Sequence, residues 1–447
     1  MRVSDQRLPR KLKLIYGLGD HSINVALVAL TMIFPFYLTE VVGMRIGLAG
    51  LVPLVGRSVD ALTDVLMGRL SDRTTWKAGR RRPYLLIGAL PFAVSFAVIW
   101  AAPQIESTPL EFGFYAVAYM MISVSMTIVA VPYHALLPEL TEDYHERSSL
   151  ATFRSVSSIL GTLVTLLCFR PLAEALGGDA RAWAIAGAAL AVWIFVPWGP
   201  IWWVTYETRT QRPEPTLTTR AYFRVLAENR SFRRLIGLYT LGRIAIDLPL
   251  ALFLHYFTYV IGRPGDFELV MFVFLVSVVV AMPFWLRFAR GRDKSTVYIY
   301  GCVGWVIGLG CLFVNQPEWP LAVTLLATSL AGVGYSAADM IPWSMVADVA
   351  DEDEILSGER REGLYVGVFS FVRKLAGAVG VALAFAVLDQ VGFEQGVQNS
   401  DAVLWAIRAM TALAPLVFVL GSAWVARGYP LGAARHREVL EEIERRQ

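Results

Sequence analysis

The sequence predicts an all-α membrane protein of twelve transmembrane helices in two six-helix halves. Three observations carry the prediction. Of the 447 residues, 56% are hydrophobic and 17% charged, and mean hydropathy is +0.52. The apolar residues fall in twelve long blocks, each near the about 20 residues that a hydrocarbon core about 30 Å thick demands of a helix, and the alternation of a barrel strand is absent. Basic residues gather in every second connection, as the positive-inside rule requires of a multi-span chain.

In order, the blocks cover approximately 14–40, 46–70, 83–102, 111–138, 148–170, 182–205, 234–261, 266–288, 296–314, 320–348, 361–388 and 402–426. Each is read as a helix, because a backbone in lipid must satisfy its own hydrogen bonds. The first runs on through Tyr37-Leu38-Thr39-Glu40 without a small-residue cleavage site, so no cleavable leader is expected. After six blocks comes an arginine-rich segment with Pro213 and Pro215 and a short helical pattern near 221–227. The chain therefore divides into an N-terminal half (1–205), a linker (206–233), a C-terminal half (234–427) and a tail (428–447). Thirty of the forty Lys and Arg lie in the two termini, the linker and alternate loops, which puts both termini and the linker in the cytoplasm. The location expected is the inner (plasma) membrane of a bacterium, and the chain is expected to act as a monomer.

Arg57, Asp60 and Asp64 stand inside the second block at spacings of three and four, so they share one helix face. A charge at mid-membrane costs about 2.5–3.5 kcal/mol, so such groups bind an ion, relay protons or pair with one another. Arg57 can answer one carboxylate, not both. Arg243 and Asp247, four apart in the seventh block, suit a pair of their own. Cys168, Cys302 and Cys311 lie in or beside apolar blocks without metal spacing and are read as small apolar residues, with no disulfide and no cofactor. Five scattered histidines, no nucleophile elbow and no phosphate loop argue against an enzyme; no aromatic or glycine-rich reading motif argues for nucleic acid.

Gly68-Arg-Leu-Ser-Asp72-Arg73, followed by Gly79-Arg80-Arg81-Arg82-Pro83, resembles the loop signature of the major facilitator superfamily. The resemblance implies a major facilitator fold, a close helix contact at Gly68, and cytoplasmic salt bridges among Asp72, Arg73, Arg80, Arg81 and Arg82 that hold one gate state together with Arg57. The plainer reading is inside-positive charge alone. Tyr16-Gly-Leu-Gly19-Asp20, Tyr37-Leu-Thr-Glu-Val-Val-Gly43, the Arg57, Asp60, Asp64 face, Val131-Pro-Tyr-His-Ala-Leu-Leu-Pro138 and Arg360-Arg-Glu-Gly363 together resemble the glycoside–pentoside–hexuronide:cation symporter family.

That resemblance implies a symporter driven by Na⁺ or H⁺, its two second-helix carboxylates binding the cation. Here they are Asp60 and Asp64, with Thr63 at the neighbouring position, Thr127 as a neutral oxygen and Lys374 beside the site. Thr127 has an alternative, a hydroxyl bonded back to its own helix, and Lys374, like Arg373, could instead snorkel to an interface. The solute residues implied are Asp20, Asn24, Tyr133, His134, Arg154, Asp339, Trp343 and Lys374. Two acids of the family's melibiose-type carriers are replaced here by Asn24 and Ala130, and a stacking tryptophan by His134. Losing acids beside Arg154 favours a sugar or glycoside-like solute that is anionic or less hydroxylated. His134 is alternatively a packing residue, and Trp343 either stacks a sugar or packs beside Pro342. The run from Ile341 to Asp348 also resembles lysophospholipid-carrying relatives, which makes cation-coupled transport of an amphiphile the alternative.

Overall fold

In the computed structural model, residues 8–76, 78–141, 143–207, 229–357 and 362–446 are described. Among the described residues, twelve helices are long and apolar enough to cross a membrane. They are α1 (Arg10–Glu40), α2 (Ile46–Arg73), α3 (Arg82–Ile99), α4 (Thr108–Leu140), α5 (Glu146–Ala175), α6 (Ala180–Val204), α7 (Arg230–Val260), α8 (Pro264–Phe288), α9 (Lys294–Val314), α10 (Leu321–Ile355), α11 (Leu364–Gln390) and α12 (Asp401–Arg427). A further helix, α13 (Ala433–Arg446), follows in the tail. The chain divides into two compact units, one built on α1–α6 and the other on α7–α13.

Local chemistry sets the starts. The Asp143 side chain accepts from Glu146 N at 2.7 Å, Asp179 from Ala182 N at 2.8 Å and Asn229 from Phe232 N at 2.8 Å, each capping the helix that follows. The Asn229 cap explains why α7 begins at Arg230 rather than at 234, where its apolar block begins. The helical pattern near 221–227 lies outside the described residues. Four helices contain a π-turn: α1 at Ala29–Ile33, α5 at Thr165–Phe169, α7 at Tyr256–Val260 and α12 at Ala409–Leu413. Such turns widen a helix by one residue and recur at functional sites.

Small residues let helices close on one another, as lipid-embedded bundles require. In the second half, a methyl on Gly308 would stand 2.4 Å from Ala331 N and one on Gly334 2.1 Å from Trp305 N, so α9 and α10 meet backbone to backbone. In the first half, Trp100, Phe34, Tyr37 and Trp183 are buried as one aromatic core. Large apolar side chains such as Leu62, Val192, Val280 and Trp424 are exposed, as expected where lipid is the solvent. All three cysteines are free thiols, Cys168 exposed and Cys302 buried.

Candidate cation and solute site

Arg57, Asp60, Thr63 and Asp64 sit on α2, and Asp60 is 5% exposed. The helix α4 comes close because position 56 is glycine: a methyl there would stand 1.9 Å from Tyr119 Cδ1. Buried Thr127 on α4 then places Oγ1 2.9 Å from Asp60 Oδ1 and 2.9 Å from Asp64 Oδ1. A hydroxyl owns one proton and can donate to one of these oxygens. Both carboxylates therefore converge on one hydroxyl, and the three oxygens form a compact set of hard acceptors. Thr127 is thus turned to the acids rather than to its own helix. Thr63 Oγ1 donates to Asp60 O at 3.1 Å and offers lone pairs only. Arg57 Nη2 donates to Thr31 Oγ1 at 2.9 Å, inside the π-turn of α1.

A second cluster forms where α1, α4 and α5 meet. Asp20 is its hub: Arg154 Nε and Nη2 both donate to its carboxylate, the latter at 3.1 Å; Tyr133 OH lies 3.0 Å from Oδ2 and His134 Nε2 3.3 Å from Oδ1. The Arg154 guanidinium also lies 5.2 Å from the centre of the Tyr133 ring. Gly19 leaves room for that ring, since a methyl there would meet Tyr133 Cε2 at 2.5 Å. Tyr16 and Tyr133 exchange hydroxyl-to-carbonyl hydrogen bonds, both 2.6 Å. Within the cluster only the His134 side chain is widely exposed, at 46% against 12% for Asp20. Asn24 turns away: its amide donates to Asp20 O at 2.8 Å.

At the foot of the first half, Arg81 Nη2 meets Asp72 Oδ1 at 2.5 Å, while Arg80 and Arg81 converge on Glu139 Oε1 at 2.5 and 2.6 Å. Burial opposes the Arg80 charge, but the hydrogen bond and charge of Glu139 outweigh it and raise its pKa. Glu207 accepts from Arg80 N, Arg81 N and Arg82 N at 2.8 to 2.9 Å and so caps α3. Gly79 turns the chain there with φ +111°, and a methyl on it would stand 2.5 Å from Glu207 Oε1. The Arg82 guanidinium lies 5.1 Å from the Trp202 ring.

Two expectations about this foot are corrected. Gly68 is not a tight contact, because a methyl there would reach Val131 Cγ1 only at 3.9 Å, ordinary van der Waals distance. Arg73 is exposed at the end of α2 and joins no ion pair among the described residues, since Asp72 faces Arg81 instead.

Asp339, Trp343 and Lys374 belong to the second half, on α10 and α11. The stacked rings of Tyr239 and Phe369, 3.9 Å apart, meet Trp343 at 6.4 and 4.9 Å, and the Arg373 guanidinium lies 6.0 Å from the Trp343 ring. Trp343 is therefore part of an aromatic group rather than packed on Pro342 alone. Asp339, one turn before it, and Lys374 are half-buried. Arg243 and Asp247 pair with each other, and Gly377 on α11 makes room for the Asp247 carboxylate.

With that geometry in view, comparison with known proteins is specific. A family model described as MFS/sugar transport protein matches residues 15–433. The chain belongs to this family. An uncharacterized symporter, sll1374, of Synechocystis is 27% identical over all of this chain and 98% of its own. The inner membrane symporter YicJ of Escherichia coli is 27% identical over 97% of this chain and 94% of its own. Among solved structures, a bacterial homologue of the human lysosomal transporter Spinster, inward-facing and unoccupied, matches with TM-score 0.69 over 96% of each chain at 12% identity. The fold is that of the major facilitator transporters, in keeping with the MFS/sugar transport family.

Sequence reasoning passed over four residues that the MFS/sugar transport fold puts to use. Tyr16 braces Tyr133; Thr31 receives Arg57; Glu139 and Glu207 organise the arginine loop. Only Glu139 carried a usable signal, an acid closing an apolar helix opposite six cations. Thr31 and Tyr16 look like any helical hydroxyl until a partner from another helix is known.

Proposed function

We propose that this protein is a secondary active symporter that couples entry of Na⁺ or H⁺ to uptake of a sugar or glycoside-like solute by alternating access. One observation carries the reading: a buried threonine hydroxyl equidistant from two membrane-embedded carboxylates, an oxygen set suited to a hard monovalent cation or a proton. The family assignment, MFS/sugar transport, supports the solute class. Both termini on the cytoplasmic side of a bacterial inner membrane is the orientation that the basic residues favour, and a relative bears the name inner membrane symporter.

The geometry supplies a route for coupling within the first half. The helix α4 carries Thr127 and, six residues on, Tyr133, about 9 Å along the axis at 1.5 Å per residue. The helix α1 carries Thr31, tied to Arg57, and Asp20, tied to Arg154. A cation that draws Asp60, Asp64 and Thr127 together acts on α4 directly and on α1 through Arg57 and Thr31, two of the three helices that hold the solute cluster. Each ligand then alters the affinity for the other, and the effect is reciprocal.

The test is gradient-driven uptake in proteoliposomes with Asp60→Cys and Asp64→Cys combined. Concentrative uptake is expected to vanish while solute exchange persists. Concentrative uptake at the unsubstituted rate would overturn the assignment.

A further inference from the structure

A cavity of about 320 Å³ opens at the foot of the second half, under the tail helix α13 and between the ends of α8, α9 and α10. Its walls are of two kinds. Leu286, Ile341 and Leu431 are apolar, and Arg292, Lys294, His436 and Asp348 are charged or polar.

The roof is a built one. Asp293 Oδ1 accepts from Ala433 N at 2.6 Å, capping α13, and position 432 is glycine because a methyl there would meet the same oxygen at 2.9 Å. His436 Nε2 lies 3.1 Å from Asp351 Oδ2 and 3.6 Å from Asp348 Oδ1, and Val439 is buried against the core.

Counting donors shows what is left for a ligand. The Lys294 ammonium has three N–H groups, and Asp348 Oδ1 and Oδ2, at 2.8 and 2.7 Å, and Ser344 O, at 3.1 Å, answer all three, so it offers charge rather than a free donor. Arg292 is held over the Phe288 ring at 4.2 Å by one bond from Nη1 to Phe288 O, so Nε and Nη2 have no acceptor among the described residues. Asp348 is already answered by Lys294 and His436. The loop beside the cavity carries Arg287, Arg290, Arg292 and Lys294 with one acid, Asp293, and α10 adds Asp348 and Asp351, which leaves one cation in excess. The polar lining therefore has a cation in excess and N–H groups of Arg292 still to be answered, which matches an anion.

The apolar residues say what the anion is attached to. Val276, Val280, Pro283 and Leu286, at spacings of four and three, run exposed along α8 down to the cavity, a lipid-facing stripe in a membrane protein. A cavity at the small end of the ligand-pocket range holds a headgroup, not a whole lipid. We propose that this cavity takes the phosphate headgroup of an anionic phospholipid, its acyl chains lying outside along α8. Arg292 meets the phosphate through Nε and Nη2 with the Lys294 charge beside it, and Ser344 and Asp348 accept from headgroup hydroxyls. A choline headgroup would bring its own cation to a site with cation to spare and is disfavoured. Basic pockets between helix ends are a known means of holding acidic lipids.

The experiment uses the full chain, delipidated in mild detergent. The probes are dioleoylphosphatidylglycerol, dioleoylphosphatidylcholine and glycerol 3-phosphate, read by retention in native mass spectrometry and by the unfolding midpoint. The phosphatidylglycerol is expected to be retained and to raise the midpoint, the other two not. Arg292→Gln should lower its retention about fivefold, whereas Arg290→Gln, the same charge change outside the cavity wall, should alter it less than about twofold. Ala289→Phe, which fills the space and removes no charge, should act like Arg292→Gln; its midpoint without lipid checks that it folds, and if it does not, the two arginine variants decide. Equal loss in both arginine variants would reduce the effect to general loop charge and overturn the site. Stabilisation by glycerol 3-phosphate equal to that by the lipid would overturn the lipid as occupant. Neither readout depends on transport, so the proposal stands or falls apart from the symporter reading.

Discussion

Replacing Thr127 by valine keeps the volume and shape of the side chain and deletes the hydroxyl 2.9 Å from both Asp60 Oδ1 and Asp64 Oδ1. The residue is 2% exposed, so water does not easily take the hydroxyl's place. A hydrogen bond to a charged group contributes about 1.5–3 kcal/mol. At 1.4 kcal/mol per decade, the coupling cation should bind about 10- to 100-fold more weakly. The assay is solute uptake in proteoliposomes as a function of external Na⁺ and, separately, of external pH. The expected outcome is a shift of half-saturation for one of the two ions by that factor, with the solute KM at saturating ion within about threefold, because uniform loss of one ligand's affinity leaves the other's site intact. Thr127→Ser should recover most of the affinity. A variant with unchanged half-saturation for both ions would refute the three-oxygen site. So would a loss confined to the solute KM.

Two further outcomes follow from the same half. Arg154→Gln removes the fork that answers Asp20, whose side chain is only 12% exposed, and stranding a buried carboxylate costs about 3–5 kcal/mol; solute binding measured by calorimetry should be lost while thermal stabilisation by the coupling ion remains, and solute affinity within twofold of the unsubstituted protein would remove Arg154 from the site. Gly56→Ala drives a methyl to 1.9 Å from Tyr119 Cδ1 and should destabilise by about 1–3 kcal/mol, read as a lowered unfolding midpoint; Tyr119→Leu in the same chain should restore most of it, and two additive losses would show that α2 and α4 do not meet there.

The membrane architecture was legible because lipid imposes it one segment at a time. Each block had to be long, apolar and helical whatever its neighbours were, and no tertiary contact was needed to count twelve of them. The Asp60 and Asp64 face was legible for a related reason: a charge inside an apolar block is anomalous on composition alone and the spacing fixes its side. Gly68 and Arg73 show the limit of motif reading. Both stand in a recognisable signature, yet the contact falls to Gly56, Gly79 and Arg81, because which turn of a helix meets its neighbour depends on crossing geometry that no local pattern carries. His134 and Asn24 make the same point from opposite sides. Either could have pointed at a solute; packing turned Asn24 to its own backbone and left His134 exposed beside Asp20.

What the chain's letters decided unaided was the number of spans, their helical character and the positions where charge enters oil, since those follow from transfer energies summed along a segment. Folding in three dimensions decided the partners. Thr127 bridges two acids, Glu207 caps a helix more than a hundred residues upstream and α13 roofs a cavity with Asp293 and His436. Each of these joins groups far apart in sequence, and a hydrogen bond exists only when distance and angle are met at once, a condition set by how helices cross rather than by what any of them contains.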